Sequence, residues 1–292
     1  MSPDITLNNG VRMPALGLGV LDRPAREQTA GAVATALGLG YRLIDTAASY
    51  LNEKEVGEGL RRSGVARADV FVTTKLWLSQ YGYDNALRGF DASLRRLGLQ
   101  YVDLYLLHWP LPSDFEATVA AYRAAEKMLA EGRARAIGVS NFSADHLGAL
   151  IERTSVVPAV NQVELHPLFN QGSLRDAHRR LGIITQAWSP LGNSVRRTIR
   201  TNDPLTNPIV IGIAKRHAKT PAQVVLRWHL QTGWAAVPKS FNSGRIAENF
   251  DIFDFALTAD DVIAIDALDT GVRFGPDPEA MHAGALSISL DD

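Results

Sequence analysis

Short apolar segments alternate with longer amphipathic segments along most of the chain. Most of the apolar segments show little internal alternation, which is typical of parallel strands covered on both faces. Eight such strands are predicted, at residues 41–45, 70–74, 102–107, 134–139, 159–163, 183–188, 235–239 and 251–255. Between them, apolar positions three and four residues apart predict helices at 25–40, 85–99, 114–132 and 220–233.

Several predicted helices carry recognisable end signals. Thr220 is a good N-cap, and Pro221 suits the first helical position because proline has no N–H to satisfy there. Gly40 follows the first predicted helix, where a residue with positive φ commonly ends a helix.

Eight strand–helix units predict an α/β fold, a (β/α)8 TIM barrel. The preceding segment ITLNNGVRM predicts an N-terminal β-hairpin, which we expect to close the bottom of the barrel. A doubly wound sheet is the alternative. Such a sheet should carry G-x-G-x-x-G after its first strand, and both GLG segments, at 17–19 and 38–40, lack the third glycine. We find no linker, so one domain over residues 1–292 is expected.

Composition narrows the possible classes of protein. With 46% apolar and 21% charged residues, the chain is ordinary for a globular protein. Its net charge of −1 gives no basic surface for nucleic acid or anionic lipid. The absence of cysteine excludes disulfides, thiolate nucleophiles and cysteine-ligated metal. The first residues lack the features of a secretory leader, and no apolar run is long enough to span a membrane. We therefore expect a cytoplasmic protein.

Ionisable side chains follow three successive predicted strands. The first strand ends at Asp45 with Tyr50 in the next loop, the second at Lys75 and the third at His108. Because the carboxyl ends of barrel strands form the active face, these four side chains should meet. Each has another explanation: Asp45 as a helix cap, Tyr50 as a packed aromatic, His108 as a core histidine. A purely structural explanation suits Lys75 less well, because a lysine is rarely buried without a partner.

The four side chains make chemical sense together. An ammonium beside a phenol favours the phenolate and lowers its pKa from about 10. Asp45 would hold Lys75 by a charge-assisted bond, and His108 would donate a hydrogen bond to a substrate oxygen. Such a site protonates an oxygen while hydride reaches the attached carbon, which is what carbonyl reduction requires.

Seven motifs carry a resemblance to a known family. They are, in order, LIDTAASYLNE, TTKLW, DLYLLHWP, IGVSNF, NQVELHP, AWSPLG, and VPKS followed by RIAEN. With them the chain resembles the aldo-keto reductase family, and within it the bacterial branch of 2,5-diketo-D-gluconate reductases. The resemblance implies a (β/α)8 barrel that binds NADPH without a Rossmann motif. It also implies reduction of aldehydes and ketones to alcohols, with small dicarbonyls, aryl aldehydes or keto sugar acids as substrates.

The resemblance also implies roles for individual residues. Tyr50 would be the general acid, Lys75 would lower its pKa, Asp45 would pair with Lys75, and His108 would orient the carbonyl. The nicotinamide would contact Ser140, Asn141, Gln162 and Trp188, and the pyrophosphate would contact Ser189 and Leu191. Adenine would contact Glu248 and Asn249. The 2′-phosphate would contact Lys239, Ser240 and Arg245, and these contacts favour NADPH over NADH.

Some segments depart from the family pattern. The substrate pocket would be formed by Leu21, Trp77 and Trp109, with Leu21 at a position that is often aromatic in relatives. Residues 192–208 are longer and more basic than expected for this branch, and the 273–292 tail matches no known pattern. A monomer is expected.

Three other functions are considered, the first of them implied by the resemblance. A non-catalytic NADPH-binding redox sensor of the same fold is the main alternative. A hydrolase using Asp45 and Glu164 would leave Lys75 and Tyr50 unexplained. A metal site at His108, His166 and Asp45 lacks a short-spaced ligand pair such as H-x-H.

Overall fold

The computed structural model describes residues 2–21, 27–192 and 203–282, with positions 284, 288 and 290. An antiparallel hairpin begins the chain and pairs β1 (Asp4–Thr6) with β2 (Arg12–Pro14). The Asn8 and Asn9 amides donate to the carbonyls of Pro158 and Arg135, at 3.1 and 2.9 Å. Because these carbonyls lie at or near the starts of barrel strands, the hairpin covers the bottom of the barrel, as predicted.

Eight parallel strands then follow one another around the molecule in chain order. They are β3 (Leu18–Gly19), β4 (Leu43–Asp45), β5 (Phe71–Leu76), β6 (Val102–Leu107), β7 (Ala134–Ser140), β8 (Val160–Glu164), β9 (Ile184–Trp188) and β10 (Ala235–Ala236). The Gly17 amide donates to the Ala236 carbonyl at 2.9 Å, and bridges join Leu16 to Ala236 and Gly19 to Lys239. These contacts join β3 to β10, so the predicted (β/α)8 barrel is confirmed.

One strand assigned from the sequence was wrong and one strand was missed, although the number of strands was right. Residues 251–255 form no strand: Asp251 ends the preceding helix, and the barrel is already closed when the chain reaches it. The strand that was missed is β3, which has only two residues and includes Gly19, so it carries no periodic signal. Asp45 and Lys75 therefore lie at the carboxyl ends of the second and third barrel strands, and His108 follows the fourth, whereas the sequence assigned these positions to the first three strands.

Helices form an outer layer around the strands. They are α1 (Thr29–Gly38), α2 (Glu53–Ser63), α3 (Tyr83–Leu97), α4 (Phe115–Ala130), α5 (Ala144–Ile151), α6 (Gly172–Leu181), α7 (Pro208–Arg216), α8 (Pro221–Gln231), α9 (Ser243–Phe250) and α10 (Ala259–Asp266). Thr220 caps α8 in a capping box with Gln223, as its sequence predicts. Gly40 lies just beyond α1 with φ +105. Of the unusual 192–208 segment, residues 193–202 lie outside the described part of the chain.

The barrel interior changes from apolar to polar along its axis. Alternate strand positions point inward, and towards the hairpin they form an apolar cluster that includes Leu7, Met13, Leu43, Phe71, Leu104, Leu106, Ala136 and Val160. Towards the carboxyl ends of the strands, buried Asp45, Lys75, Gln162 and Gln186 take the inward positions. Polar groups need partners when they are buried, so their concentration at this end indicates where the site lies.

Candidate active site

Lys75 lies at the centre of the polar end of the barrel. Its ammonium donates to Asp45 Oδ1 at 2.6 Å, to the Thr46 carbonyl at 3.0 Å and to the Tyr50 hydroxyl at 3.2 Å. An ammonium has three N–H donors, and these three acceptors match that number. Strand pairing places Asp45 and Lys75 on the same inner face of β4 and β5, and the loop after β4 brings Tyr50 back over them.

Burial separates the roles available to these groups. Lys75 is 0% exposed, whereas Tyr50 and His108 each keep 8% exposure. Burial by itself lowers the pKa of Lys75, but the charge of Asp45, the charge of Tyr50 and their hydrogen bonds outweigh it. The pKa of the ammonium is therefore raised, and Lys75 stays charged. The phenol and the imidazole reach the mouth of the barrel, while the charge that polarises the phenol remains inside.

His108 follows β6 and faces the phenol. Its ring centroid lies 5.6 Å from that of Tyr50 and 5.1 Å from that of Trp77, both edge-on. Nδ1 lies 3.3 Å from the Ser49 hydroxyl. The His108 main chain is also fixed, since its N–H donates to the Leu76 carbonyl at 3.1 Å. The His108 ring is thus in contact with both Tyr50 and Trp77 at the mouth of the barrel.

A buried network supports the loop that carries Tyr50. Thr46 Oγ1 donates to Asn52 Oδ1 at 2.7 Å, and Asn52 Nδ2 donates to the Val20 carbonyl at 2.8 Å. The next residue, Glu53, accepts from Thr74 Oγ1 at 2.6 Å and pairs with Arg96 at 2.8 Å. The loop and the start of α2 are therefore tied to the residue after β3, to β5 and to α3, which restricts the position of the phenol.

Asn141 and Trp188 meet at the ends of β7 and β9. Trp188 Nε1 donates to Asn141 Oδ1 at 2.7 Å, and Asn141 Nδ2 donates to the His108 carbonyl at 3.0 Å. Ser140 Oγ donates to the Gln162 carbonyl at 2.7 Å. Asn141 has φ +66, a conformation that asparagine tolerates better than most residues. The structure thus brings Ser140, Asn141 and Trp188 together next to the four ionisable residues.

The Gln162 side chain makes two hydrogen bonds inside the barrel. Its Nε2 donates to Asp45 Oδ2 at 2.8 Å and to Gln186 Oε1 at 2.7 Å. Asp45 therefore receives one hydrogen bond from Lys75 and another from Gln162. Through this contact Gln162 orients the carboxylate that holds the ammonium.

The residues expected to bind the dinucleotide phosphates lie on two further segments. Ser189 has φ +46 after β9, and Leu191 follows it with its side chain half-buried. The Pro190 carbonyl between them accepts from His229 Nε2 at 3.1 Å, which holds this turn on α8. The exposed Lys239 and the buried Ser240 precede α9.

Helix α9 carries the remaining cofactor candidates. Arg245 is exposed at its start, where Asn242 Oδ1 accepts from the Arg245 N–H at 3.0 Å. Asn249 is buried. Glu248 accepts from Thr220 Oγ1 at 2.7 Å, so its carboxylate already has a partner on α8.

The residues proposed for the substrate pocket lie at the mouth in different ways. Trp77 and Trp109 are 4% and 6% exposed, and the Trp77 ring packs edge-on against that of His108. The Trp109 carbonyl accepts from the Tyr81 hydroxyl. Leu21 is half-buried just after β3. Three residues at the mouth or interior were missed from the sequence: Ser49, Asn52 and Gln186. Gln186 could have been found, because it has the same inward parity on β9 that Gln162 has on β8.

Two features are absent from the residues that the structure describes. No helix among them is both long and apolar enough to cross a membrane. Within the same residues, no group of three or more His, Cys, Asp or Glu side chains is arranged to hold a metal ion.

Comparisons with known proteins agree with this geometry. The model of the aldo/keto reductase family matches residues 15–270. The chain is 58% identical over 291 residues to morphine 6-dehydrogenase of Pseudomonas putida, covering 98% of each chain. It is 45% identical over 277 residues to glyoxal reductase of Bacillus subtilis, covering 95% of this chain and 96% of the relative.

A solved structure extends the comparison to three dimensions. An aldo-keto reductase of Bombyx mori, solved in complex with NADP, superposes with a TM-score of 0.87 at 35% identity, covering 94% of each chain. The match to the family model spans the barrel and the elements that carry the four ionisable residues. The chain therefore belongs to the aldo/keto reductase family of oxidoreductases.

Proposed function

We propose that the chain is an NADPH-dependent carbonyl reductase in which Tyr50 is the general acid. The contact that carries this proposal is the buried Lys75 ammonium between Asp45 Oδ1 and the Tyr50 hydroxyl, at 2.6 and 3.2 Å. A cation that is fixed and desolvated at this position stabilises the phenolate left when Tyr50 gives up its proton. We also propose that the chain is one cytoplasmic, monomeric domain.

The chemistry of the donor set fits NADPH. Exposed Lys239 and Arg245 lie near the start of α9, where positive charge and free backbone N–H groups suit a phosphate. Trp188, fixed by Asn141, offers an aromatic face near the ionisable residues. The dinucleotide would be held by the residues named for it from the sequence: Ser140, Asn141, Gln162, Trp188, Ser189, Leu191, Lys239, Ser240, Arg245, Glu248 and Asn249. NADPH would supply a hydride to the substrate carbonyl carbon.

The chain's own residues would do the rest. His108 orients the carbonyl oxygen towards the Tyr50 hydroxyl, and Trp77 limits the space around it. Tyr50 transfers its proton to that oxygen as the carbon is reduced, which gives the alcohol. Asp45 and Gln162 keep Lys75 in place so that its charge compensates the phenolate. In the oxidative direction Tyr50 would act as the base.

Small dicarbonyls, aryl aldehydes and keto sugar acids are the proposed substrates. Glyoxal reductase of Bacillus subtilis, at 45% identity, supports the dicarbonyls. A second candidate is oxidation of a secondary alcohol on a polycyclic substrate, because the relative at 58% identity is a morphine 6-dehydrogenase. Both use the same acid–base residue in opposite directions.

The test is NADPH consumption with methylglyoxal, phenylglyoxal, a nitrobenzaldehyde and a diketo sugar acid, and NADP+ reduction with morphine. Turnover of any carbonyl supports the reductase, and turnover of morphine alone supports the second candidate. If NADPH binds tightly but no compound turns over, the redox-sensor alternative replaces both.

The cofactor assignment has its own test at Arg245. We expect Arg245→Ala to weaken NADPH binding at least about ten-fold, because a charge-assisted bond to the 2′-phosphate is lost. NADH binding should change far less, and Arg179→Ala on the exposed side of α6 is the control. Equal weakening of NADPH and NADH would contradict the assigned contact.

A further inference from the structure

Glu164 is a buried carboxylate that the proposed chemistry does not use. It ends β8, is 0% exposed, and accepts three hydrogen bonds. Two come from the backbone N–H groups of Phe274 and Gly275, at 2.6 and 2.9 Å. The third comes from His166 Nε2 at 3.1 Å, which must carry the proton because a carboxylate only accepts.

These bonds hold a segment from the C-terminal part of the chain, which we call the strap (residues 269–281). The strap is also tied to the loop after β8, where the Thr270 N–H donates to the Leu168 carbonyl at 3.0 Å. Further on, Glu279 lies 3.5 Å from His146 at the start of α5. Both attachment points follow the carboxyl ends of barrel strands, so the strap lies on the face that carries Tyr50.

The strap touches Trp188 at Gly275. A Cβ on Gly275 would lie 2.4 Å from Trp188 Cη2 and 2.9 Å from Glu164 Oε2. Only glycine therefore fits between the indole and the carboxylate. Since Trp188 Nε1 donates a hydrogen bond to Asn141 at the other end of the indole, the indole is held at both ends.

We infer that Glu164 is a positioning residue for the reaction, acting through the strap. Its carboxylate holds the Gly275 backbone against Trp188 and so fixes the ring face next to which the nicotinamide is proposed to bind. His166 supports the same arrangement, because its ring stacks on that of Phe274 with centroids 4.5 Å apart. The role of Trp188 rests on the proposed function, whereas the anchoring of the strap does not.

Trypsin tests the anchoring without any turnover. The peptide bond between Arg273 and Phe274 carries the N–H that donates to Glu164, and the Arg273 guanidinium lies 4.7 Å from the ring centroid of Phe169. Glu164→Gln replaces one acceptor oxygen by an N–H donor facing a backbone N–H. Release of the peptide 274–292 should then be at least about ten-fold faster, since cleavage follows the population of the open strap.

Two further variants make this result specific. Gly275→Ala should release the same peptide, since the added methyl group forces the strap off Trp188 while the barrel keeps all its residues. Val272→Ala, in the same strap and 52% exposed, should be cut like the wild type. Unchanged protection in Glu164→Gln and Gly275→Ala, with both variants folded, would overturn the anchoring.

Kinetics test the positioning. Glu164→Gln and Gly275→Ala should each slow single-turnover hydride transfer about ten-fold or more, because misplacement of an ångström costs on that order. NADPH affinity should change less than about three-fold, since contacts at Arg245 are untouched. Hydride transfer in the double variant should be no slower than in the slower single variant, because both substitutions act on the same contact.

Additive losses in the rate of hydride transfer, or normal hydride transfer with a released strap, would overturn the positioning role. A wild type without turnover would contradict the proposed function, and with it the positioning role, while the trypsin result would still decide the anchoring.

Discussion

At the scale of single residues, the site depends on one buried charge and its neighbours. Lys75 is fully buried, and its ammonium bonds to Asp45, Thr46 and Tyr50. Burying an ammonium is unfavourable unless these bonds are made, because the charge loses its hydration. The bonds offset that loss, so the pair of Lys75 and Asp45 adds little to the free energy of unfolding. Its value lies in a fixed charge 3.2 Å from the Tyr50 oxygen.

Removing the Tyr50 hydroxyl separates chemistry from binding. Tyr50→Phe keeps the ring that packs against His108 but has no proton to give, so turnover should fall roughly 10²–10⁴-fold. NADPH affinity, measured by fluorescence titration, should stay within a few-fold of the wild type. Tyr83→Phe, at a 41% exposed position at the start of α3, is the matched control. Parallel losses of turnover and NADPH binding would mean that Tyr50 is a structural residue.

At the scale of elements, the helical layer depends on close contacts at glycine. In α2, a Cβ on Gly57 would lie 2.1 Å from the Leu97 carbonyl oxygen at the end of α3. In α1, a Cβ on Gly31 would meet nothing within 4 Å. Both glycines lie inside helices, where alanine is intrinsically favoured, so packing alone decides what a methyl group does at each position.

Gly→Ala substitutions at these two positions should change the free energy of unfolding in opposite directions. Gly31→Ala should raise the free energy of unfolding by about 0.5–1 kcal/mol through helix propensity. Gly57→Ala should lower it by about 1–3 kcal/mol, because the helices must move apart to admit the methyl group. Urea unfolding of the two variants measures both changes. Stabilisation by both substitutions would show that α2 and α3 are less closely packed than described.

At the scale of the whole molecule, two buried histidines link stability to pH. Burial lowers the pKa of His178 to about 4. Burial also lowers the pKa of His229 to about 3, which its bond to the Pro190 carbonyl only partly opposes. Asn161 Nδ2 donates to His178 Nε2 at 2.9 Å, so the neutral ring fits its site and the protonated ring does not. In the unfolded chain both groups would titrate near 6.5.

The free energy of unfolding should therefore fall as the pH drops below about 6.5, because both histidines bind protons in the unfolded chain and stay neutral in the folded chain. Each histidine contributes about 1.4 kcal/mol per pH unit until its folded pKa is approached. His178→Gln and His229→Gln should each flatten the decline in the free energy of unfolding, measured in urea between pH 7 and pH 5. Variant and wild-type curves that run parallel over this range would contradict this linkage.

The sequence by itself determined the architecture and the set of ionisable residues at the barrel mouth. Repeating apolar segments report local periodicity, and a barrel places the carboxyl ends of all strands on one face, so Asp45, Tyr50, Lys75 and His108 were identified together. The same reasoning assigned residues 251–255 to a strand and missed β3, because two residues with a glycine give no periodic signal. Which strands close the barrel depends on pairing between distant segments.

The tertiary structure alone decided how the site is held. Gln162 donates to Asp45 across 117 residues of sequence, and Glu164 accepts from Phe274 across 110. Local propensity and periodicity carry no information about such contacts, because they arise only when strand ends and a later segment converge at the barrel mouth. For the same reason, the sequence shows a glycine at position 275, and only the structure shows that it lies between Trp188 and the Glu164 carboxylate.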